Sequence, residues 1–346
     1  MPVGTLGTVK GLTQEALEDL GAQIILANTY HLYLRPGEQV IREMGGLHRF
    51  MSWERPILTD SGGYQVFSLA ALRKVSDQGV RFRSHLDGSL HMLTPARAIE
   101  IQTSLGSDII MPLDECTEFP SSAVTAEKAM QRTTEWAAES KRFWCELSQQ
   151  GENAPGTLFG IVQGGTQAEL RRECARRLVE MDFPGYAIGG LSVGEVRPLT
   201  FEMVAAAEEY LPEEKPRYVM GVGLPEELPQ YVALGVDMMD CVLPTRNGRN
   251  GLLFTSQGRM HIRQTRYARD PRPVDESCGC PGCRRYSRAY LRHLFIAGEM
   301  LGKILNTAHN IYFYLDTMRR IRQSIASGDF PRFSLDFRSR LQGEVQ

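Results

Sequence analysis

The sequence lacks the features that would place it in a membrane or outside the cell. No segment combines the length and apolarity of a membrane helix, and the first residues do not read as a secretory signal. Its seven cysteines are an odd number, and three of them fall within six residues, unlike the paired framework of a small secreted protein. We therefore expect a cytoplasmic protein with reduced thiols.

Lysine is absent from residues 246–292, although eleven arginines occur there. Against three acidic residues they give this segment a net charge of +8, which leaves −10 for the rest of the chain. Such segregation indicates an anionic partner, with nucleic acid as the leading candidate and a solvated basic face as the plain alternative. The planar guanidinium favours contacts with phosphates and base edges over simple solubility.

A G-x-G-x-x-G turn after an early strand is also missing. Instead, short apolar runs alternate with amphipathic helical stretches along the chain. This alternation predicts parallel strands joined by right-handed crossovers. With the opening segment from Met1 counted, about eight units are present. The predicted fold class is therefore α/β, a closed (β/α)₈ TIM barrel, rather than an open doubly wound sheet.

The apolar runs end on residues that can do chemistry. In a barrel, the carboxyl ends of the strands meet at one mouth, where the active sites of such folds lie. A single aspartate at a strand end is more often a helix cap than a catalyst, but three carboxylates with amide and glycine residues on one rim favour a functional set. The run ends are Asn28, Asp60, Asp114, Gln163, Gly189 with Gly190, Gly221 and Asp240.

Asp240 stands where an apolar strand is predicted to give way to a glycine-rich basic loop. A carboxylate in that position can act as a nucleophile or a ligand. The loop behind it offers Thr245, Arg246 and Arg249 to hold phosphates. For this position taken alone, a solvated turn capped by the aspartate is the plain alternative.

Three cysteines in a tight Gly/Pro turn, Cys278, Cys280 and Cys283, predict a metal site together with His309. Three thiolates and an imidazole satisfy tetrahedral Zn²⁺ with no open position, so one structural zinc ion per subunit is expected. His293 competes for the fourth place, and iron–sulfur ligation is a minor alternative. The metal would clamp the arginine-rich segment onto a final helix at about residues 310–327.

These patterns divide the chain into three parts. Residues 1–250 are predicted to form the catalytic barrel, residues 251–310 an arginine-rich zinc-binding subdomain inserted near the C-terminus, and residues 311–346 a C-terminal helix that closes the barrel.

Eight short motifs in this order resemble the bacterial tRNA-guanine transglycosylases, the queuine tRNA-ribosyltransferase family, over essentially the whole chain. Any one of them is weak, but the ordered set is highly specific. The motifs are ANTYHL (27–32), DSGGYQ (60–65), DECT (114–117), GIVQG (160–164), AIGGLSVGE (187–195), MGVG (220–223), DCVLPTR (240–246) and the Cys/His set.

The resemblance implies an enzyme of queuosine biosynthesis. It would exchange the wobble guanine of tRNAs with a GUN anticodon for 7-aminomethyl-7-deazaguanine (preQ1), through a covalent enzyme–ribose intermediate. Asp240 resembles the nucleophile that attacks C1′ of the ribose, and Asp60 resembles the general acid/base that takes a proton from the incoming base. A carboxylate can trap an oxocarbenium-like centre as an ester, as in retaining glycosidases.

The resemblance also implies how the base is held. Asp114 would accept from the N1/N2 edge of guanine, while Gln163 and the Gly190 N–H would read O6. Tyr64 and Met220 would sandwich the ring of the flipped base. The implied substrate-binding set is Asn28, Ser61, Gly62, Gly63, Tyr64, Asp114, Cys116, Gln163, Gly189, Gly190, Leu191, Met220 and Gly221.

Three neighbouring residues bear on which base is taken. The Leu191 carbonyl would accept from the aminomethyl group, and Glu195 would fix the orientation of that peptide. Val193 implies the small preQ1 base, because glycine is the better fit at this position in the eukaryotic relatives that take the larger queuine.

Two segments are implied to contact the anticodon loop of tRNA, while the arginine block follows its backbone. Bacterial members are homodimers, so a homodimer is expected. Relatives also carry an N-terminal segment that caps the barrel floor, so a chain that starts at Met1 is expected to differ in stability more than in chemistry. The implied RNA-contacting residues are Gly221, Val222, Gly223, Leu224, Pro225, Glu226, Glu227, Thr245, Arg246, Asn247, Gly248 and Arg249.

Two other functions fit parts of the sequence. A non-catalytic tRNA-binding partner subunit would be expected to lose the nucleophile or the general base, yet Asp60, Asp114 and Asp240 are all present. A barrel enzyme acting on a phosphorylated sugar would leave the zinc motif and the arginine block unexplained.

Overall fold

A computed structural model describes residues 1–69, 73–149 and 154–341 of the chain. Twelve strands occur in these ranges. In chain order they are β1 (Ile25–Ala27), β2 (Ile57–Thr59), β3 (Arg73–Ser76), β4 (Gly79–Arg83), β5 (Leu90–Leu93), β6 (Ile109–Ile110), β7 (Thr157–Val162), β8 (Gly185–Ile188), β9 (Arg217–Val219), β10 (Met238–Met239), β11 (Leu252–Thr255) and β12 (Gly258–His261).

The same ranges contain fifteen α-helices and two short 3₁₀ helices, the latter at Pro225–Glu227 and Thr265–Tyr267. The α-helices are α1 (Gln14–Asp19), α2 (Thr29–Leu34), α3 (Glu38–Glu43), α4 (Gly46–Met51), α5 (Gly63–Leu69), α6 (Pro95–Leu105), α7 (Ala123–Gln149), α8 (Ala168–Glu180), α9 (Arg197–Glu208), α10 (Leu228–Ala233), α11 (Leu243–Arg249), α12 (Pro281–Arg285), α13 (Arg288–Ile296), α14 (Met300–Ala326) and α15 (Phe330–Leu341).

Seven parallel strands form the main sheet, in the order β1-β2-β6-β7-β8-β9-β10. The first residues of the chain fill the gap between its two edges. Val3 makes a parallel bridge to Leu26 of β1, and the Met1 ammonium donates to the Met239 carbonyl of β10 at 2.6 Å. The opening segment therefore takes the eighth place, and the predicted α/β barrel is confirmed.

The inside of the barrel is filled by one apolar cluster. Side chains from successive strands meet there, because alternate residues of a strand point to the same face. The cluster joins the opening segment to five strands and the residue after β6, and its buried members are Val3, Leu26, Leu58, Met111, Phe159, Ile161, Ala187 and Tyr218. This cluster closes the middle of the barrel beneath the mouth.

Local sequence signals explain where the connecting helices begin and end. The Thr94 hydroxyl accepts from the Arg97 N–H at the start of α6, and Pro95 occupies the first turn. The helix stops at Gly106, whose φ of 71° is left-handed. This stop turns the chain into β6, which delivers Asp114 to the mouth.

Two small antiparallel sheets lie outside the barrel and were not expected from the sequence. Strands β3, β4 and β5 form a three-stranded sheet between β2 and α6, and β11 pairs with β12. Their runs are only four or five residues long, and β3, β4 and β12 place arginine or lysine among apolar residues, so they resemble loop sequence.

The C-terminal third differs from the expectation in two places. The predicted final helix at 310–327 begins at Met300, ends at Ala326 and is followed by α15. The predicted basic loop after Asp240 is instead the helix α11, from Leu243 to Arg249. Pro244 in its first turn favours the helix, which proceeds through Asn247 and Gly248 despite their low helix propensity.

No helix within the described ranges is both long enough and apolar enough to cross a membrane.

Candidate active site and metal centre

A cavity of about 490 Å³ opens at the carboxyl ends of the barrel strands. Eleven of the predicted catalytic and substrate-binding residues line it, namely Asn28, Asp60, Ser61, Tyr64, Asp114, Cys116, Gly190, Leu191, Met220, Gly221 and Asp240. The other four are not part of this lining, namely Gly62, Gly63, Gln163 and Gly189. Further side chains at the mouth include His31, Gln65, Val193, Arg197 and Tyr218.

Asp60 follows β2 and is buried under three hydrogen-bond donors. Asn28 Nδ2 and Gln65 Nε2 donate to its Oδ2 at 2.5 and 2.9 Å, and the Thr29 N–H donates to Oδ1 at 2.8 Å. Burial raises the pKa of Asp60 to about 6, and the three donors work against that rise. A carboxyl group with this pKa can accept and return a proton near neutral pH.

Asp114 lies beyond β6 and carries a second set of donors. Ser61 Oγ donates to its Oδ1 at 2.9 Å, and Gln163 Nε2 donates to its Oδ2 at 2.7 Å. Burial raises the pKa of this carboxyl above its usual value. A Cβ on Gly63 would stand 2.8 Å from the Asp114 carbonyl oxygen, so the start of α5 can approach Asp114 only with glycine there.

Asp240 follows β10 and is held through one oxygen. The Tyr218 hydroxyl and the Gly221 N–H donate to Oδ1 at 2.5 and 2.7 Å. No hydrogen bond within the described residues reaches Oδ2. The carboxylate therefore has a fixed orientation and a second oxygen that can attack a ligand in the cavity.

The loop after β8 carries backbone groups to the same cavity. The Glu195 carboxylate accepts from the Ser192 and Val193 N–H groups at 2.5 and 3.0 Å, and from Thr200 Oγ1 at 2.7 Å. Although burial favours the neutral acid, these donors lower the pKa of Glu195. Since the Ser192 N–H and the Leu191 carbonyl belong to one peptide unit, Glu195 fixes the orientation of that carbonyl.

Three more predicted residues border the cavity. Tyr64 is 52% exposed, so one face of its ring is open to a ligand. Met220 lies at the carboxyl end of β9. Cys116 is partly buried, and burial raises the pKa of its thiol to about 12, so it is a poor nucleophile at neutral pH.

Of the predicted RNA-contacting residues, Gly221, Gly223 and Arg246 line the cavity, and the whole set differs in exposure. Gly221 and Arg246 are exposed, whereas Val222, Gly223, Pro225, Glu227, Thr245 and Gly248 are buried. Arg246 and Arg249 both lie on α11. The pKa of Arg249 is lowered, mainly by burial and to a smaller extent by the positive charge of Arg246. Two cations this close, on a helix that begins beside Asp240, favour an anion between or above them.

Part of the arginine block serves the protein's own structure. Arg288 is buried, donates to the Pro273 and Val274 carbonyls at 2.7 and 3.0 Å, and pairs with Asp270. Arg272 also pairs with Asp270, and Arg259 pairs with Glu226. Because these cations are already paired, the net charge of the segment overstates what it offers to a nucleic acid.

The four predicted metal ligands lie together. The Sγ atoms of Cys278, Cys280 and Cys283 are 3.7, 3.5 and 3.4 Å from His309 Nδ1, and all four donor atoms lie within 4.8 Å of one another. These separations suit one tetrahedral ion with bonds of about 2.0–2.3 Å. The cluster can hold one metal ion and is consistent with structural zinc.

His309 ties the metal cluster to the rest of the protein. Its Nε2 lies 2.8 Å from the Phe254 carbonyl, which leaves Nδ1 to face the sulfur atoms. The next residue, Asn310, donates to the Pro244 and Leu252 carbonyls at 3.1 and 2.9 Å. Through these contacts α14 joins the metal site to α11, which carries Arg246.

Three residues of the site were missed from the sequence. Tyr218 donates to Asp240, and Gln65 donates to Asp60. The buried Arg171 lies behind the loop after β8. Gln65 and Arg171 each lie within a helix, and Tyr218 is a strand residue in an apolar run. Only the assembled barrel brings Tyr218 and Gln65 to the cavity and Arg171 to the backbone behind it.

Comparison with known proteins agrees with this geometry. A family model described as queuine tRNA-ribosyltransferase matches residues 1–343. The queuine tRNA-ribosyltransferase of Solibacter usitatus is 59% identical over 334 residues, covering 96% of this chain and 88% of that protein. The enzyme of the same name from Koribacter versatilis is 56% identical over 338 residues, covering 95% and 87%. The chain belongs to the queuine tRNA-ribosyltransferase family.

Proposed function

We propose that the protein is a tRNA-guanine transglycosylase that replaces the wobble guanine of GUN-anticodon tRNAs with preQ1. The observation that carries this proposal is the state of Asp240: one oxygen is fixed by two donors, and the other is free in a cavity that also contains Asp60 and Asp114. Family membership supports it.

In the first half of the reaction, Asp240 Oδ2 attacks C1′ of the ribose. The bond from C1′ to guanine N9 breaks, its electron pair goes to N9, and the departing base takes a proton there from the neutral form of Asp60. The product is an ester between the ribose and Asp240. Tyr218 and Gly221 keep the carboxylate aimed at C1′ by holding its other oxygen.

In the second half, the incoming base gives its N9 proton to Asp60. Its N9 then attacks C1′ and displaces Asp240, so the configuration at C1′ is retained overall. The pKa of Asp60, about 6, leaves it mostly anionic at neutral pH and able to take that proton. No nucleoside triphosphate is consumed, because one glycosidic bond replaces another.

Base selection follows from the donors and acceptors in the cavity. The Asp114 carboxylate, aligned by Ser61 and Gln163, can accept from both N1–H and the 2-amino group of a guanine-like base. An oriented Leu191 carbonyl can accept from an aminomethyl ammonium group at the 7-position. Val193 at the mouth leaves less room for a larger substituent than a glycine would.

The tRNA would bind across the mouth through its anticodon loop. Arg246 and Arg249, both on α11, would contact phosphates next to the flipped nucleotide. Other arginines of residues 246–292 would extend this contact along the backbone. Zinc would act only at a distance, by holding α14 against α11.

A homodimer and a cytoplasmic location belong to the same proposal. The end of α13 and the start of α14 expose four apolar side chains, among them Met300 at 78%, which a second copy of the chain could cover. The other three are Ile296, Leu301 and Ile304. We expect sedimentation to give a dimer that Met300→Glu weakens; a wild-type monomer at micromolar concentration would contradict the dimer.

A non-catalytic tRNA-binding partner subunit is the second candidate. The three aspartates at one cavity argue against it, since binding alone requires no nucleophile and no general base.

The deciding experiment uses a tRNA that carries radiolabelled guanine at the wobble position. The purified protein, at a concentration far below that of the tRNA, should release the label over many turnovers when preQ1 is added, and at most one equivalent per active site when no base is added. Binding of tRNA without release under either condition would refute the enzyme and favour the partner subunit.

A further inference from the structure

A fully buried arginine lies directly behind the glycine turn at the base-binding cavity. Arg171, on α8, donates from Nε to the Gly165 carbonyl at 2.7 Å. Both of its terminal nitrogens reach the Gly189 carbonyl at 3.1 Å, and Nη2 also reaches the Gly190 carbonyl at 3.4 Å. One guanidinium therefore binds three carbonyls of two different loops.

This arginine has no acidic partner, since no ion pair within the described residues includes it. Burial lowers the pKa of Arg171 to about 10, so it remains charged at neutral pH. An unpaired buried charge is costly, and apolar packing would serve stability alone at least as well. The charge therefore points to a role beyond packing.

The geometry of the peptide unit indicates that role. In a planar trans peptide the carbonyl and the N–H point in opposite directions. The Gly189 carbonyl and the Gly190 N–H belong to one such unit, so an arginine that fixes the carbonyl from behind also fixes where the N–H points. Within the described residues, no hydrogen bond is donated by the Gly190 N–H, and Gly190 lines the cavity.

We propose that Arg171 is a positioning residue that aims and polarises the Gly190 N–H toward the 6-oxo group of the bound base. This inference rests on the proposed function, because it assumes a guanine-like base in the cavity. A cation on the carbonyl makes the N–H of the same peptide a stronger donor. That donor would best stabilise O6 as negative charge spreads onto the departing base.

The test compares guanine with 2-aminopurine as inhibitors of exchange. Because 2-aminopurine lacks both the 6-oxo group and the N1–H that accompanies it, each ligand is compared with itself between wild type and variant. Arg171→Met should raise the inhibition constant of guanine at least tenfold. It should change that of 2-aminopurine, which lacks the 6-oxo group, less than threefold. Arg171→Lys, which keeps a charge but loses the two-pronged contact, should fall between wild type and Arg171→Met. The dissociation constant for tRNA should stay within threefold in both variants.

Arg217 provides a matched control at the opposite end of the barrel. It is also buried, donates to the Leu211 and Pro212 carbonyls, and pairs with Glu208. Arg217→Met should lower the melting temperature without changing either inhibition constant. A general loss of stability would therefore not reproduce the selective effect expected for Arg171.

Each other outcome has a defined meaning. Any of three results would overturn the inference and assign Arg171 to structure alone. These are equal losses of affinity for guanine and 2-aminopurine, an unchanged inhibition constant for guanine, and failure of both Arg171 variants to fold. If the wild-type protein exchanges no guanine, the proposed function itself fails. If it exchanges guanine and the variants bind guanine normally, only the role of Arg171 is lost.

Discussion

Replacing Gly190 with alanine should damage base recognition as well as folding. Gly190 has a φ of +66°, and an added Cβ would stand 2.1 Å from Gln163 Oε1. The left-handed conformation costs an alanine about 1–2 kcal/mol. The Gln163 amide would also have to move, which breaks its bond to Asp114. A hydrogen bond to a charged group contributes about 1.5–3 kcal/mol.

The two costs appear in different assays. Strain should lower the free energy of unfolding by about 1–2 kcal/mol. Loss of the contact between Gln163 and Asp114 should weaken binding of the free base roughly 10- to 150-fold, since about 1.4 kcal/mol corresponds to a factor of ten.

Gly298 is the matched control, because its φ is +76° and nothing lies within 4 Å of an added Cβ. Gly298→Ala should show the same strain in denaturant unfolding and bind the base normally by calorimetry. Base affinity of Gly190→Ala within twofold of wild type would refute the reasoning.

Two further predictions concern protonation and the metal. The kcat/KM for the incoming base should rise with pH through about 6, the pKa of Asp60, because only the Asp60 anion accepts the N9 proton. Gln65→Leu removes a donor to that anion and should shift the rise to higher pH. A pH profile unchanged by this substitution would contradict the assignment of Asp60. For stability the sign is opposite, because the folded-state pKa of Asp60 lies above the ordinary value of 3.8 for an aspartate. Its contribution to stability is full below about pH 4 and is lost as pH rises through about 6. Asp60→Asn should therefore melt higher than wild type at neutral pH. Cys280→Ser or chelation of the metal should lower the melting temperature by several degrees. Either change should also weaken tRNA binding, because α14 connects the metal site to α11. Cys145→Ser, outside the cluster, should have neither effect. An unchanged melting temperature after verified metal loss would rule out a structural role for the metal.

The barrel and the metal ligands could be predicted from the sequence because local chemistry specifies them. Strands that run in parallel put their carboxyl ends on one rim, so Asp60, Asp114 and Asp240 meet without any knowledge of their contacts. Three cysteines in one tight turn likewise specify a metal site from local sequence alone. His309 was separated from its competitor His293 only by the fold, since His309 lies on α14 facing the sulfur atoms.

The rest depends on contacts between distant parts of the chain. The sequence near Gly248 reads as a loop, yet α11 packs so closely on α14 that a Cβ at Gly248 would stand 2.8 Å from the Thr307 Cα. Tertiary packing therefore overrides the low helix propensity of this segment. Arg171 escaped notice for a related reason: its three carbonyl partners are backbone atoms, which no residue type reveals.

The central claim is that Asp240 forms an ester with the ribose, and trapping that ester tests it most directly. Wild-type protein incubated with end-labelled substrate tRNA, with released guanine removed, should carry label through a denaturing gel, and peptide mapping should place the ribose on Asp240. Asp240→Asn should bind the tRNA but form no adduct. Asp237→Asn, three residues earlier with a side chain that accepts from the Arg217 N–H, should form it as wild type does. An adduct that persists in Asp240→Asn, or that maps to another side chain, would contradict the account.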